Sequence, residues 1–157
     1  MNKLYEKSIA IGSTRRWNMK CTHCLRGEAR NLDIDHKDLR NLLKHFKSIQ
    51  HLCITGGEPS LNPKAIKYIL KQLKHFDIHV HRFCIVTNGS QTSLSKEFID
   101  ICAELYEYQE ERYESNDNFH MLEMSDDRFH DNKLHNQVIK ELSVYPFFGF
   151  RGQADNI

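Results

Sequence analysis

The sequence predicts an α/β chain in which parallel strands alternate with helices packed outside them. Apolar runs at strand period alternate with stretches at helix period, in the order β-α-β-α-β-α-β-α-β. In such a series each strand, its helix and the next strand form a crossover unit, so successive strands lie parallel and adjacent. The glycine-rich and polar motifs all fall after strand ends, and that carboxyl edge is where parallel α/β sheets hold ligands.

The first strand is expected over residues 8–13, where Ile9 and Ile11 share a face. From Asp35, a plausible N-cap, Leu39, Leu42, Leu43 and Phe46 recur at helix spacing. Residues 51–55 read as a second strand that stops at Gly56-Gly57. Asn62-Pro63 has the cap-then-proline form of a helix start, and Ile66, Ile69, Leu70 and Leu73 supply the buried face. The third strand, 79–87, is rich in Val, Phe and Ile and stops at Asn88-Gly89. A third helix begins near Ser93 on Leu94, Phe98, Ile101, Cys102 and Leu105, and residues 107–118 read as its end plus an exposed loop. Residues 119–125 are a fourth strand, 132–142 a fourth helix on Leu134, Val138, Ile139 and Leu142, and 144–150 a last strand interrupted by Pro146. Cys53, Cys84 and Cys102 fall within these patterns and are expected as small buried side chains.

At 157 residues the chain is expected to form a single domain, 1–157, and it shows no internal repeat. A net charge of +1 gives no general pull toward nucleic acid or membrane, so neither is expected as a partner. No run of eighteen apolar residues and no apolar leader is present, which places the chain in the cytoplasm. Five cysteines without a regular framework fit reduced thiols in that compartment. The ten histidines are scattered, and none is assigned as a metal ligand.

The strongest chemical signal is Trp17-Asn18-Met19-Lys20-Cys21-Thr22-His23-Cys24, in the polar segment after the first strand. Two thiols two residues apart occur in redox dithiols, in zinc knuckles and in iron–sulfur loops. A thioredoxin-like pair sits at a helix start, usually with Pro or Gly between the thiols, whereas Thr22 and His23 stand here. Zinc needs two more ligands, from His23, His36 or a distant thiol, and no second Cys-x2-Cys or His-x3-His supplies them. With a cysteine in place of Trp17 the stretch would read Cys-x3-Cys-x2-Cys, a spacing that wraps three thiolates around an iron–sulfur cube and leaves one iron open. Two further stretches matter. In Thr55-Gly56-Gly57-Glu58-Pro59 the glycines permit close backbone approach, and Glu58 offers a carboxylate to an ammonium group. Val86-Thr87-Asn88-Gly89, taken alone, is an ordinary strand-ending turn.

Together, and in this order, the three stretches resemble the radical SAM superfamily, closely over residues 21–89 and loosely over 125–130. The resemblance implies a partial parallel (βα) barrel of that type, here of about four βα units plus a fifth strand. It implies that Cys21 and Cys24 are metal ligands to a 4Fe-4S cluster. Gly56, Gly57, Glu58, Pro59, Asn88 and Gly89 would then bind S-adenosylmethionine, with Glu58 and its neighbours at the amino group and His23 near the adenine. Asp126-Asp127-Arg128-Phe129-His130 resembles a segment facing ribose or substrate, and reads equally as a solvated acidic loop. The implied reaction is radical-initiated hydrogen abstraction. No catalytic side chain is assigned, and the substrate is not legible.

The chain departs from the family pattern at Trp17, whose indole cannot bind iron. A third cluster ligand would come from elsewhere, Cys53 and Cys84 being candidates that lie two or three residues below their strand ends. The alternative is a degenerate, cluster-free member acting as a binding, regulatory or inhibitory protein. A barrel this short leaves an open edge, which invites a second copy as a homodimer or a covering C-terminal tail.

Overall fold

A computed structural model describes residues 3–14, 33–112, 120–125 and 132–150. Five strands, β1 (Leu4–Gly12), β2 (Phe46–Thr55), β3 (His79–Thr87), β4 (Leu122–Met124) and β5 (Phe148–Phe150), alternate with four helices. These are α1 (His36–Leu43), α2 (Pro63–His75), α3 (Lys96–Arg112) and α4 (Asn132–Leu142). All strand pairings are parallel and the spatial order is β1-β2-β3-β4-β5. The fold is the expected partial parallel (βα) barrel: four βα units and a fifth strand.

The two faces of the sheet differ. Ile11, Leu52, Ile54, Phe83, Ile85 and Leu122 are buried on one face, packed in one core with Leu39, Leu43, Ile66, Ile69, Leu73, Phe98, Ile101 and Leu105 of the helices. On the other face Ala10, Gly12 and His51 are exposed, while Cys53, Thr55, Cys84, Val86 and Glu123 are partly so. Among the described residues the helices therefore pack on one side of the sheet, and toward the carboxyl end of the strands the other side is only partly covered. Cys53 and Cys84 are thereby corrected: they lie on the partly covered face, and of the three described cysteines Cys102 is the buried one. At Cys102 burial, and then the nearby Glu58 carboxylate, push the thiol well above its usual range, so it behaves as a small apolar group.

Several boundaries shift for physical reasons. Residues 4–8 are exposed, so they carry no alternating pattern, yet their backbone continues the β1 ladder along β2. Phe46 belongs to β2, not α1, because the helix stops at its C-cap Lys44; Leu42 stays 42% exposed and is not a core residue. A 3-10 turn, Gln91–Leu94, precedes α3. β4 and β5 are only three residues each.

The largest difference is that α3 runs on to Arg112. Its last turns carry polar residues that work inside the protein. The Tyr108 hydroxyl donates to the Ile78 carbonyl at 2.6 Å, and the Arg112 guanidinium stacks 3.6 Å from the Tyr108 ring centre. Buried Gln109 accepts the Phe83 N–H at 2.8 Å. Among the described residues β4 pairs with residues 85–87 of β3, and lower on that edge the Gln109 side-chain amide satisfies the Phe83 N–H. Gln109→Leu, matched in size but without the acceptor, is expected to cost ~1–3 kcal/mol. A urea midpoint and hydrogen exchange at the Phe83 amide check this; unchanged protection of that amide would contradict it.

Candidate functional site

The carboxyl ends of the strands form one rim, and polar contacts stitch its loops together. Where β1 leaves the sheet, the Ser13 N–H donates to the Thr55 carbonyl at 2.8 Å, and its hydroxyl reaches the same oxygen at 3.0 Å. Thr14 then forms an isolated antiparallel bridge with Asp33, and its hydroxyl donates to the Asp33 carboxylate at 2.6 Å. The Ile34 N–H adds a bond of 3.1 Å to the Ser13 carbonyl. Thr14 and Asp33, the residues that flank segment 15–32, thus lie side by side at the rim. Trp17, Cys21, His23 and Cys24 belong to that segment and lie outside the described residues, as do Asp126 to His130.

The glycine turn after β2 packs directly on this exit. The Gly57 N–H donates to the Thr14 carbonyl at 2.7 Å. Gly56 has φ +139°, and a Cβ built on it would lie 2.4 Å from the Thr14 carbonyl oxygen and 2.9 Å from the Thr14 nitrogen. Only glycine combines that backbone conformation with so close an approach. Asn62 completes the junction: its Oδ1 accepts the Ala65 N–H at 3.3 Å, capping α2, while its Nδ2 donates to the Ser13 carbonyl at 2.9 Å.

Glu58 is 1% exposed, and its carboxylate is the hub of the rim. One oxygen accepts from the Ser60 N–H at 3.1 Å, the Ser60 hydroxyl and the Thr87 hydroxyl at 2.6 Å. The other accepts the Asn88 N–H at 2.8 Å. Ser60 is held in turn by Thr92 at 2.7 Å, and Thr92 by Ser90 at 2.9 Å. Burial pushes the Glu58 pKa above the ordinary carboxyl value, and the bonds from Ser60, Thr87 and Asn88 oppose that shift. Pro59 opens the buried 3-10 turn, Pro59–Leu61, that Glu58 caps.

Asn88 and Gly89 follow on the β3 rim. The Asn88 Oδ1 accepts the Ser90 N–H at 3.0 Å, an Asx turn closing the loop. Gly89 has φ +74° and packs under the Met124 thioether. The structure therefore brings Gly56, Gly57, Glu58, Pro59, Asn88 and Gly89 together at one rim, beside Thr14 and Asp33. Ser13, Thr14, Ser60, Asn62, Thr87 and Thr92 belong to the same construction and were not expected as site residues. Asn62 carried a signal as a cap, and Thr87 stood inside the Asn-Gly motif. Ser13, Thr14 and Thr92 carried none, because their roles rest on contacts distant in sequence.

Chemically, the rim offers backbone groups of a tight glycine turn over a buried acidic hub, with the partly covered face of the sheet beneath. Cys21 and Cys24, the expected metal ligands, fall in segment 15–32, outside the described residues.

Comparison with known proteins supplies a family. The model of the Radical SAM superfamily matches residues 13–114, more than half of the chain. The "Putative peptide biosynthesis protein YydG" of Bacillus subtilis (strain 168) is 26% identical over 91 residues. That match takes in 55% of this chain and 28% of the relative, so the chain spans well under half of that protein's length.

Proposed function

This chain belongs to the radical SAM superfamily, and on that premise we propose that it binds a 4Fe-4S cluster and S-adenosylmethionine for radical-initiated hydrogen abstraction. The observation that supports the reading is that the glycine turn after β2 meets the Asn-Gly turn after β3 at one rim, next to Thr14 and Asp33, which flank the sequence segment holding Cys21 and Cys24. The Thr14 carbonyl accepts the Gly57 N–H, and Glu58 ties the same turn to Asn88. Cys21 and Cys24 hold the cluster, and a further ligand completes the set that Trp17 leaves short. When bound, the cluster supplies the electron that cleaves the carbon–sulfur bond of S-adenosylmethionine. The chain's own residues orient and enclose. Gly56 and Gly57 let the backbone approach the amino acid end, Glu58 keeps that turn locked to β3, and Asn88 and Gly89 border the nucleoside. The helix-free face below the rim receives the substrate. A peptide is the substrate class that the match to a peptide biosynthesis protein supports. The reading requires a compartment that keeps thiols reduced, such as the cytoplasm. The open edge beyond β1, whose Leu4 and Tyr5 are 53% and 76% exposed, is the place for a second copy.

Trp17 favours a second reading, in which the same rim serves a cluster-free binding or regulatory protein. Anaerobic purification and reconstitution, with iron and sulfide counted per chain, separates the two. The first reading expects about four of each, with Trp17→Cys raising the occupancy. A reconstituted chain that holds neither iron nor sulfide, with or without Trp17→Cys, would leave the second reading standing.

A further inference from the structure

The outward faces of α2 and α3 are sorted by charge. Lys64, Lys67, Lys71 and Lys74 form an exposed row along α2, a helix without one acidic residue. Glu97, Asp100, Glu104 and Glu107 form an exposed row along α3 at the same three-four-three spacing. An ordinary solvated helix face mixes signs, because opposite charges three or four residues apart support a helix and like charges oppose it. Here each row sets like charges at every such step, a cost to both helices that a facing surface of opposite sign offsets. Lys96 bonds Asp100 at 2.6 Å within α3, and among the described residues no ion pair joins one row to the other.

The rows are also placed to meet their opposites. α2 and α3 follow the parallel strands β2 and β3, so they run in the same direction, and they pack side by side. The Tyr108 hydroxyl of α3 reaches the Leu73 carbonyl of α2 at 3.3 Å, which sets the two helices level to within about a turn. A two-fold axis running along the helices, midway between them, keeps heights and exchanges sides. It lays α2 of one copy on α3 of the other, so each lysine row faces an acidic row. The contact is isologous and closes at two copies. An axis across the helices would instead set lysine on lysine, which repulsion opposes.

We propose that the α2–α3 face binds a second copy of this chain, in a two-fold pair drawn together by these rows. Exposed ion pairs are individually weak, so the pair is a low-affinity one that salt dissolves. It uses neither the rim nor the β1 edge, and it stands whether or not a cluster is bound.

Sedimentation of the full chain under reducing conditions tests this, at ~0.02 M and ~0.5 M salt. A concentration-dependent dimer is expected at the lower salt and a monomer at the higher. Lys67→Glu with Lys71→Glu, and separately Asp100→Lys with Glu104→Lys, should each weaken the low-salt dimer about ten-fold or more. Mixed together, the two reversed chains should pair again, since each then meets rows of opposite sign. Lys7→Glu with Lys44→Glu makes the same change in net charge beside the β1 edge, and should leave the dimer within about two-fold of the parent. All six positions are exposed, and circular dichroism checks each fold. Where a reversed chain fails to fold, glutamine at the same positions carries the comparison. The proposal is overturned if the chain stays monomeric at low salt, or if the mixed reversed chains stay apart. It is equally overturned by a dimer that survives row reversal or the higher salt, or that the Lys7 and Lys44 changes abolish, since either would assign the contact to the β1 edge.

Discussion

Glu58→Ala is expected to lower the stability of the fold by roughly 3–5 kcal/mol, the sum of several buried donors losing their acceptor at ~1–3 kcal/mol each. The Ser60 and Asn88 N–H groups cannot turn away, because both belong to ordered turns of the rim. The Thr87 and Ser60 hydroxyls can rotate, and Thr92 offers Ser60 a second partner. Loss should therefore concentrate on the two amides, and hydrogen exchange should accelerate most at Asn88. The pH dependence has a definite sign. Burial raises the folded-state value of Glu58 above the ordinary 4.5. Its contribution to stability is fully present below that ordinary value and is lost as pH rises through the folded value. Glu58→Gln removes the titration, so urea midpoints of the two chains should diverge across that window, with the parent chain alone showing the extra decline. Parallel pH profiles would mean that Glu58 does not titrate differently on folding. The comparison also bears on the proposed chemistry. A carboxylate occupied by four donors of its own chain acts on a ligand chiefly by fixing the glycine turn, so ligand affinity should fall in step with rim order in both variants.

The course of the chain was legible wherever burial imposes a period. Ile66, Ile69, Leu70 and Leu73 gave α2 to within a residue, and Val80, Phe83 and Ile85 gave β3. It was not legible where backbone pairing or polar contacts replace apolar pattern. The first residues of β1 are exposed on both faces, so only the ladder to β2 makes them a strand. The end of α3 is held by Tyr108 and Gln109, whose partners Ile78 and Phe83 are twenty-six or more residues away, and no local signal announces such a bond. The site follows the same division. Its glycine, glutamate and asparagine stand in short motifs because the tight turns demand those residue types. Ser13, Thr14 and Thr92 are ordinary in sequence, and become part of the rim only because the sheet brings β1 beside β2 and the Gln91–Leu94 turn beside Ser60.

Gly56→Ala is the sharper probe of how the rim is assembled, and it should cost ~2–4 kcal/mol through backbone strain and overlap together. At φ +139° an alanine is strained whatever space it has. Here it has none, since its Cβ would fall 2.4 Å from the Thr14 carbonyl oxygen. That oxygen cannot retreat cheaply. It accepts the Gly57 N–H, and the strand before it is fixed by Ser13 bonding to Thr55. Relief must come from prising the β1 exit away from the glycine turn, which loosens the Thr14–Asp33 bridge and with it both ends of the cysteine segment. Gly89→Ala is the matched control. Its φ of +74° is also positive, but the atoms in the way are the Met124 thioether, whose flexible side chain can swing aside. Both variants are then compared by thermal melting and by iron per folded chain after anaerobic reconstitution. Gly56→Ala should melt well below the parent and hold several-fold less iron even at temperatures where it is folded. Gly89→Ala should lose less stability and keep iron close to the parent's level. Equal iron content in the two, despite unequal melting, would show that the glycine turn stabilises the sheet without positioning the cysteine segment.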